Sequence, residues 1–182
     1  MRSTPDEFAQ ARQAPLGECT ASMENANRIA WGTVVYQALL AGIAGAFTID
    51  AFLWLATLLP AHSNVTALWQ YIASTLVGPV AFTSPSYAIL GLAMHVAISI
   101  GWAGGYAYFV ATRPATNRHW LVAGASYGVV VYLLMQLILL AGGHFKGPAT
   151  PNAFIIALVA HVAFFGIPVA YVVRSLDGAQ AA

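Results

Sequence analysis

Between Arg28 and Arg113 the chain has no lysine, arginine or glutamate, and apart from tyrosines its only ionisable side chains there are Asp50, His62 and His95. Runs of that length and polarity need a bilayer around them. Within them, the stretch Gly91 to Ala111 has no charged residue and yet carries His95 near its first end. With 59% apolar and 7% charged side chains, against roughly 25% charged in an ordinary soluble domain, the composition fits one all-α, polytopic membrane domain.

The formal net charge of +1 is too small to suggest nucleic acid as a partner, which leaves the lipid bilayer as the main one. The few basic residues sit where helices would end, their usual place as interface anchors. Cys19 is the only cysteine, so no intrachain disulfide can form. The glutamate in Leu16-Gly17-Glu18-Cys19, with no apolar run before it, argues against a lipoprotein cleavage site.

Residues 1–28 mix charged and small polar residues without an apolar stripe and read as a disordered cytoplasmic tail. The run from Ile29 to Leu59 is long enough to cross a ~30 Å hydrocarbon core with some tilt. Residues 66–82 are apolar but short, and Gly78-Pro79 breaks them. Charge decides how to read them. If this stretch is re-entrant or interfacial, Arg28, Arg113, Arg118 and Arg174 all fall on one side and only Lys146 on the other, as the positive-inside rule expects. The expectation is therefore a four-helix transmembrane bundle over 29–174, with spans at roughly 29–59, 86–112, 119–142 and 152–174. Both termini are then cytoplasmic, and residues 175–182 form a short cytoplasmic tail.

His95-Val96-Ala97 recurs as His161-Val162-Ala163, each about ten residues inside a helix running inwards. The other two helices carry small residues every fourth position on a ridge that ends in a polar group. These ridges are Ala38, Gly42, Ala46, Asp50 and Gly124, Gly128, Tyr132, Gln136. Small residues let backbones approach closely in lipid, and the pattern suggests a duplicated hairpin.

Asp50, His95 and His161 each lie about ten residues, or about 15 Å, from the outer end of a helix, with Gln136 about a turn shallower. A charged aspartate near the bilayer centre costs ~2.5–3.5 kcal/mol on insertion scales, so it faces the bundle and finds a partner. Three readings of this set are open. The four side chains are interhelical hydrogen-bond partners that fix packing. Alternatively, Asp50, His95 and His161 form a path for protons or a binding site for a small solute. In the third reading His95 and His161 ligate a haem b, or join Asp50 around a divalent metal, as in a membrane redox subunit. Against haem, the outer half has no arginine for the propionates and the chain has no CxxCH motif. Soluble-enzyme signatures such as a phosphate loop, GxSxG or HExxH are also absent.

Pro168 should kink the last helix just inside His161. His119 beside Trp120 reads as an interface residue, and His62 and His144 as loop residues. Asn64-Val65-Thr66 matches a glycosylation sequon. Homo-oligomer formation or membership of a membrane complex stays open.

The segments AGIAGAFTIDAFLWLA, YIASTLVGPVAF, LGLAMHVAISIGWAGGYAYF, GASYGVVVYLLMQ and HVAFFGIPVAYVV cover most of residues 41–173. In these the chain resembles small bacterial inner-membrane proteins of the YagU type. The resemblance implies a four-helix protein of the bacterial inner membrane, with a loose link to acid stress, and carries no catalytic residues with it. This chain has shorter loops than that type, and Asp50 need not have a counterpart there.

Overall fold

The computed structural model describes residues 29–58, 60, 64–142 and 150–180. The chain divides into two units, Met1–Ala30 and Trp31–Ala182, and every described helix lies in the second. The expected tail 1–28 with Cys19, and the loop residues His62, His144 and Lys146, lie outside the described residues.

Helix α1 (Trp31–Leu53) runs on through a π-helical turn, Trp54–Leu58. Helix α2 (Val65–Val77) follows, then a 3₁₀ turn, Gly78–Phe82, and helix α3 (Tyr87–Thr112). A second 3₁₀ turn, Pro114–His119, leads into α4 (Trp120–Ala141). The last long helix is α5 (Pro151–His161), a π-helical turn Val162–Gly166 and α6 (Ile167–Gln180). Among the described residues there is no strand. Five helical stretches are long and apolar enough to cross a membrane: Trp31–Thr57, Val65–Phe82, Tyr87–Thr112, Pro114–Ala141 and Pro151–Gly178. Their outer surfaces are as apolar as their contacts, with Phe47 78%, Ile89 74% and Val122 68% exposed. Such a surface is suited to lipid and not to water.

Helix α2 is bounded by local chemistry. The Asn64 side chain accepts a hydrogen bond from the Ala67 amide at 3.2 Å, so the sequon-like triplet serves as a helix start. At the other end Gly78 takes φ 74°, which a residue with a Cβ rarely adopts, and Pro79 follows without an amide proton.

Helix α1 lies at the centre, with α3 packed on one side and the α5–α6 helix on the other. Helix α4 packs on α5–α6, and α2 packs on α3. The two small-residue ridges sit at these crossings. A Cβ on Gly42 would lie 2.5 Å from the Ile100 Cα, and one on Gly128 would meet the backbone of His161 and Val162. Gly166 returns the contact, since a Cβ there would strike the backbone of Gly124 and Gly128. Helices α3 and α4, though joined by a short turn, hardly pack along their lengths. Aromatic side chains stand between them: the Tyr106 and Tyr127 rings meet edge to face at 5.1 Å, and the Tyr127 hydroxyl donates to the Trp102 carbonyl.

Where a kink is expected from Pro168, the helix carries a π turn, Val162–Gly166, just before it. Proline at 168 has no N–H to give to the Phe164 carbonyl one turn earlier, and the Ile167 amide reaches back to Val162 instead. A hydroxyl from another helix stands at the freed oxygen: Thr48 of α1 can donate to Phe164 O, sharing its one proton with the Ala44 and Gly45 carbonyls of its own helix. The Phe52 ring, one turn on, stacks on Phe164 at 4.2 Å.

At the Arg113 end, Trp31 stacks on Tyr108 and the Arg174 guanidinium lies over Trp120, as in an interfacial aromatic belt. The helix does not stop at Arg174 as expected but continues to Gln180. Asp177 anchors this extension by accepting hydrogen bonds from Gln37 of α1 and Asn117 of the 3₁₀ turn.

Replacing the hydroxyl that covers Phe164 O tests this account. Thr48→Val should lower stability by about 0.6 kcal/mol, the average for interhelical hydrogen bonds in a membrane, and by no more than about 1.7. Unfolding of the protein in mixed micelles measures it.

Candidate functional site

On an α-helix residues two apart lie about 200° round the axis, so Thr48 and Phe52 share a side of α1 that Asp50 cannot reach. Those two face the π turn of the last helix, and Asp50 is turned towards α3. There its Oδ1 stands 3.1 Å from His95 Nε2, the two side chains being 14% and 17% exposed. Neither atom makes a hydrogen bond of good geometry among the described residues, so the two buried groups answer each other by close contact alone.

The second carboxylate oxygen has a partner that sequence reasoning missed. The Trp69 indole N–H of α2 donates to Asp50 Oδ2 at 3.0 Å. Trp69 reaches the site because α2 lies hard against α3, where the Trp69 carbonyl packs on Gly91 in the space a Cβ would take. Gln70, next in α2, donates to the Ser84 carbonyl and closes the other end of this contact. An indole in an apolar segment carries no sequence signal of its own. The signal was Gly91, four residues before His95, where a side chain would exclude α2.

His161 does not join this pair. Its Nδ1 lies 2.7 Å from the Ala157 carbonyl one turn back, and its ring meets Tyr132 edge to face at 5.3 Å. The expected set of Asp50, His95 and His161 is therefore an Asp50–His95–Trp69 arrangement, with His161 on the α4 side of the bundle. Gln136, which matches Asp50 in the ridge register, is half-buried and makes no hydrogen bond among the described residues. Tyr132, one turn earlier, takes the place beside the histidine instead. No three His, Cys, Asp or Glu side chains converge to hold a metal ion among the described residues, so His95, His161 and Asp50 are not assembled as a metal-ligand set. His95 Nε2, the nitrogen a haem iron would need if ligated there, is turned onto Asp50.

A cavity of about 490 Å³ opens beside Asp50, walled by α1, α2 and α3. Its lining includes Phe47, Trp54, Val65, Trp69, Leu92 and Val96, and Asp50 is the one charged residue in it. The π turn that begins at Trp54 forms part of the wall, and such turns are frequent at functional sites. Compared with family models, curated proteins and solved structures, the chain finds no match in any of the three.

The pair's energetics can be tested directly. Removing only the imidazole, in His95→Leu, strands the carboxylate and should cost ~1–3 kcal/mol. The double variant Asp50→Leu/His95→Leu should be less destabilised than the two single costs added, because carboxylate and imidazole go together and only the Trp69 indole N–H loses its acceptor. A double-mutant cycle of unfolding free energies in micelles measures the coupling.

Proposed function

We propose that this chain is a four-span protein of the bacterial inner membrane with both termini cytoplasmic and α2 as a re-entrant arm. Its role is non-enzymatic: it binds a small, largely apolar molecule through the Asp50–His95–Trp69 site. The kinship with YagU-type proteins rests on the helix motifs named above.

The α-helical part of this stretch, α2, has 13 residues, about 20 Å at 1.5 Å per residue, and it reaches the length of a ~30 Å hydrocarbon core only with the 3₁₀ turn Gly78–Phe82, which Gly78 and Pro79 break from it. Its contacts with α3 involve the half of α3 nearest Tyr87: Trp69 lies on Gly91, and Val65 lines a cavity with Leu92 and Val96. Four spans also keep Arg28, Arg113, Arg118 and Arg174 on one side.

The observation that carries the ligand reading is a carboxylate set in the wall of an otherwise apolar cavity. Small-molecule sites are commonly apolar pockets of ~300–1,000 Å³ with a few polar groups that fix orientation. An occupant with one hydrogen-bond donor, an alcohol or an amine on an alkyl or ring body, would share Asp50 Oδ2 with the Trp69 indole, because Oδ1 is closed off against His95. A proton path is less well supported, because no third titratable side chain is hydrogen-bonded to His95 among the described residues.

Cysteine labelling tests the topology. In a Cys19→Ser background, Asn64→Cys and Ser86→Cys should react with a membrane-impermeant maleimide from the same side. Labelling from opposite sides would mean that α2 crosses.

Photolabelling tests the ligand. In liposomes, a long-chain alcohol bearing a diazirine should label the segments around Phe47–Trp54 and Val65–Trp69. Asp50→Leu should reduce that labelling about tenfold, the worth of one hydrogen bond to a charged group. Ala51→Phe, at an exposed position on the cavity wall, should block it. Labelling spread evenly over the lipid-facing surface and unchanged in Asp50→Leu would overturn the reading.

A further inference from the structure

A gap of about 880 Å³ lies between α3 and α4, away from Asp50. It exists because the α3 wall is cut back at Gly101 and Gly105 while Tyr127 of α4 spans to the Trp102 carbonyl. A Cβ at Gly101 would meet nothing within 4 Å, so this part of the groove is open space. The groove runs from Arg113, just past the end of α3, to Gly101, twelve residues or about 18 Å along the helix axis. That length matches an acyl chain lying along a helix.

Its chemistry is graded along this length. Arg113 is the one charged residue in the lining, is exposed, and has no carboxylate partner among the described residues. Its guanidinium lies over the Phe109 ring at 5.4 Å, which fixes a cation at the mouth of the groove. Thr112 and Ser126 add hydroxyls to the lining, while Trp102 and Val130 make its far part apolar. Tyr106, seven residues or about 10 Å inside Arg113, also lines it. The Tyr106 side chain is 1% exposed, and its hydroxyl has no hydrogen-bond partner among the described residues.

We infer that this groove is a binding site for one anionic glycerophospholipid. Its phosphate meets Arg113 and its ester oxygens lie among the hydroxyl-bearing residues. One acyl chain runs between α3 and α4 and fills the space the helices leave. Basic pockets between transmembrane helices suit anionic head groups. The proposal shares the membrane setting with the function proposed above and is otherwise independent of Asp50.

The test reconstitutes the full chain in vesicles of equal parts phosphatidylglycerol and phosphatidylcholine, extracts it in mild detergent and counts retained lipids by native mass spectrometry. One phosphatidylglycerol should be retained, with about a fivefold preference over phosphatidylcholine, the contribution of one basic residue. Arg113→Gln should bring the two lipids to parity. Gly101→Leu, which fills the open part of the groove, should remove both, while Asp50→Leu should change neither. Retention of phosphatidylglycerol undiminished in Arg113→Gln would overturn the assignment. So would a dimer that carries no lipid and is broken by Gly101→Leu, since a second copy would then cover the groove.

Discussion

Helices in lipid have no hydrophobic force driving them together, and this bundle depends on backbone meeting backbone. At Gly42 on Ile100, at Gly128 on His161 and Val162, and at Gly91 on Trp69, one helix lies where a neighbour's side chain would otherwise be. Close approach multiplies dispersion contacts and is the main attraction left when the solvent is as apolar as the protein. Everything polar in the interior is placed by these crossings. The Trp69 indole reaches Asp50 because α2 comes down onto Gly91, and His95, one turn along α3 from that glycine, meets the same carboxylate from the other side.

The bundle is built of two unlike halves on one pattern. In each, a small-residue ridge on one helix receives a histidine-bearing helix. In the first, the histidine meets a carboxylate beside an open cavity; in the second, it meets a phenol and its own helix backbone. The irregular backbone breaks the pattern: one π-helical turn lies on the ridge helix of the first half, just beyond Asp50, and the other on the histidine-bearing helix of the second, just beyond His161. The second is tied to the first half by Thr48, whose hydroxyl reaches the oxygen that Pro168 leaves bare as well as two carbonyls of its own helix. A backbone oxygen left without a partner in lipid is costly, so this single side chain joins the irregular turn to the central helix.

Much of this was legible in the sequence. Uncharged runs between end-placed arginines gave the helices, the small-residue ridges marked the crossing faces, and a lone aspartate level with a histidine marked the pair. His161 was misplaced because depth can be counted from a sequence and direction round the axis cannot. Thr48 and Phe52, not Asp50, turned out to face the last helix. Trp69 was missed because its polar atom is one N–H on a large apolar ring. Asp177 was missed for the opposite reason: the small polar residues around it read as a tail, and nothing nearby suggested the buried Gln37 as a partner 140 residues away.

That distant contact bears on how the molecule comes together. Gln37 is 2% exposed and its side-chain amide is held by Asp177 of α6, 140 residues later in the chain. Until α6 is in place, that amide lacks the acceptor it has in the folded chain. A chain cut short of α6 would present a hydrogen-bonding group to its surroundings at the spot where the folded one presents none.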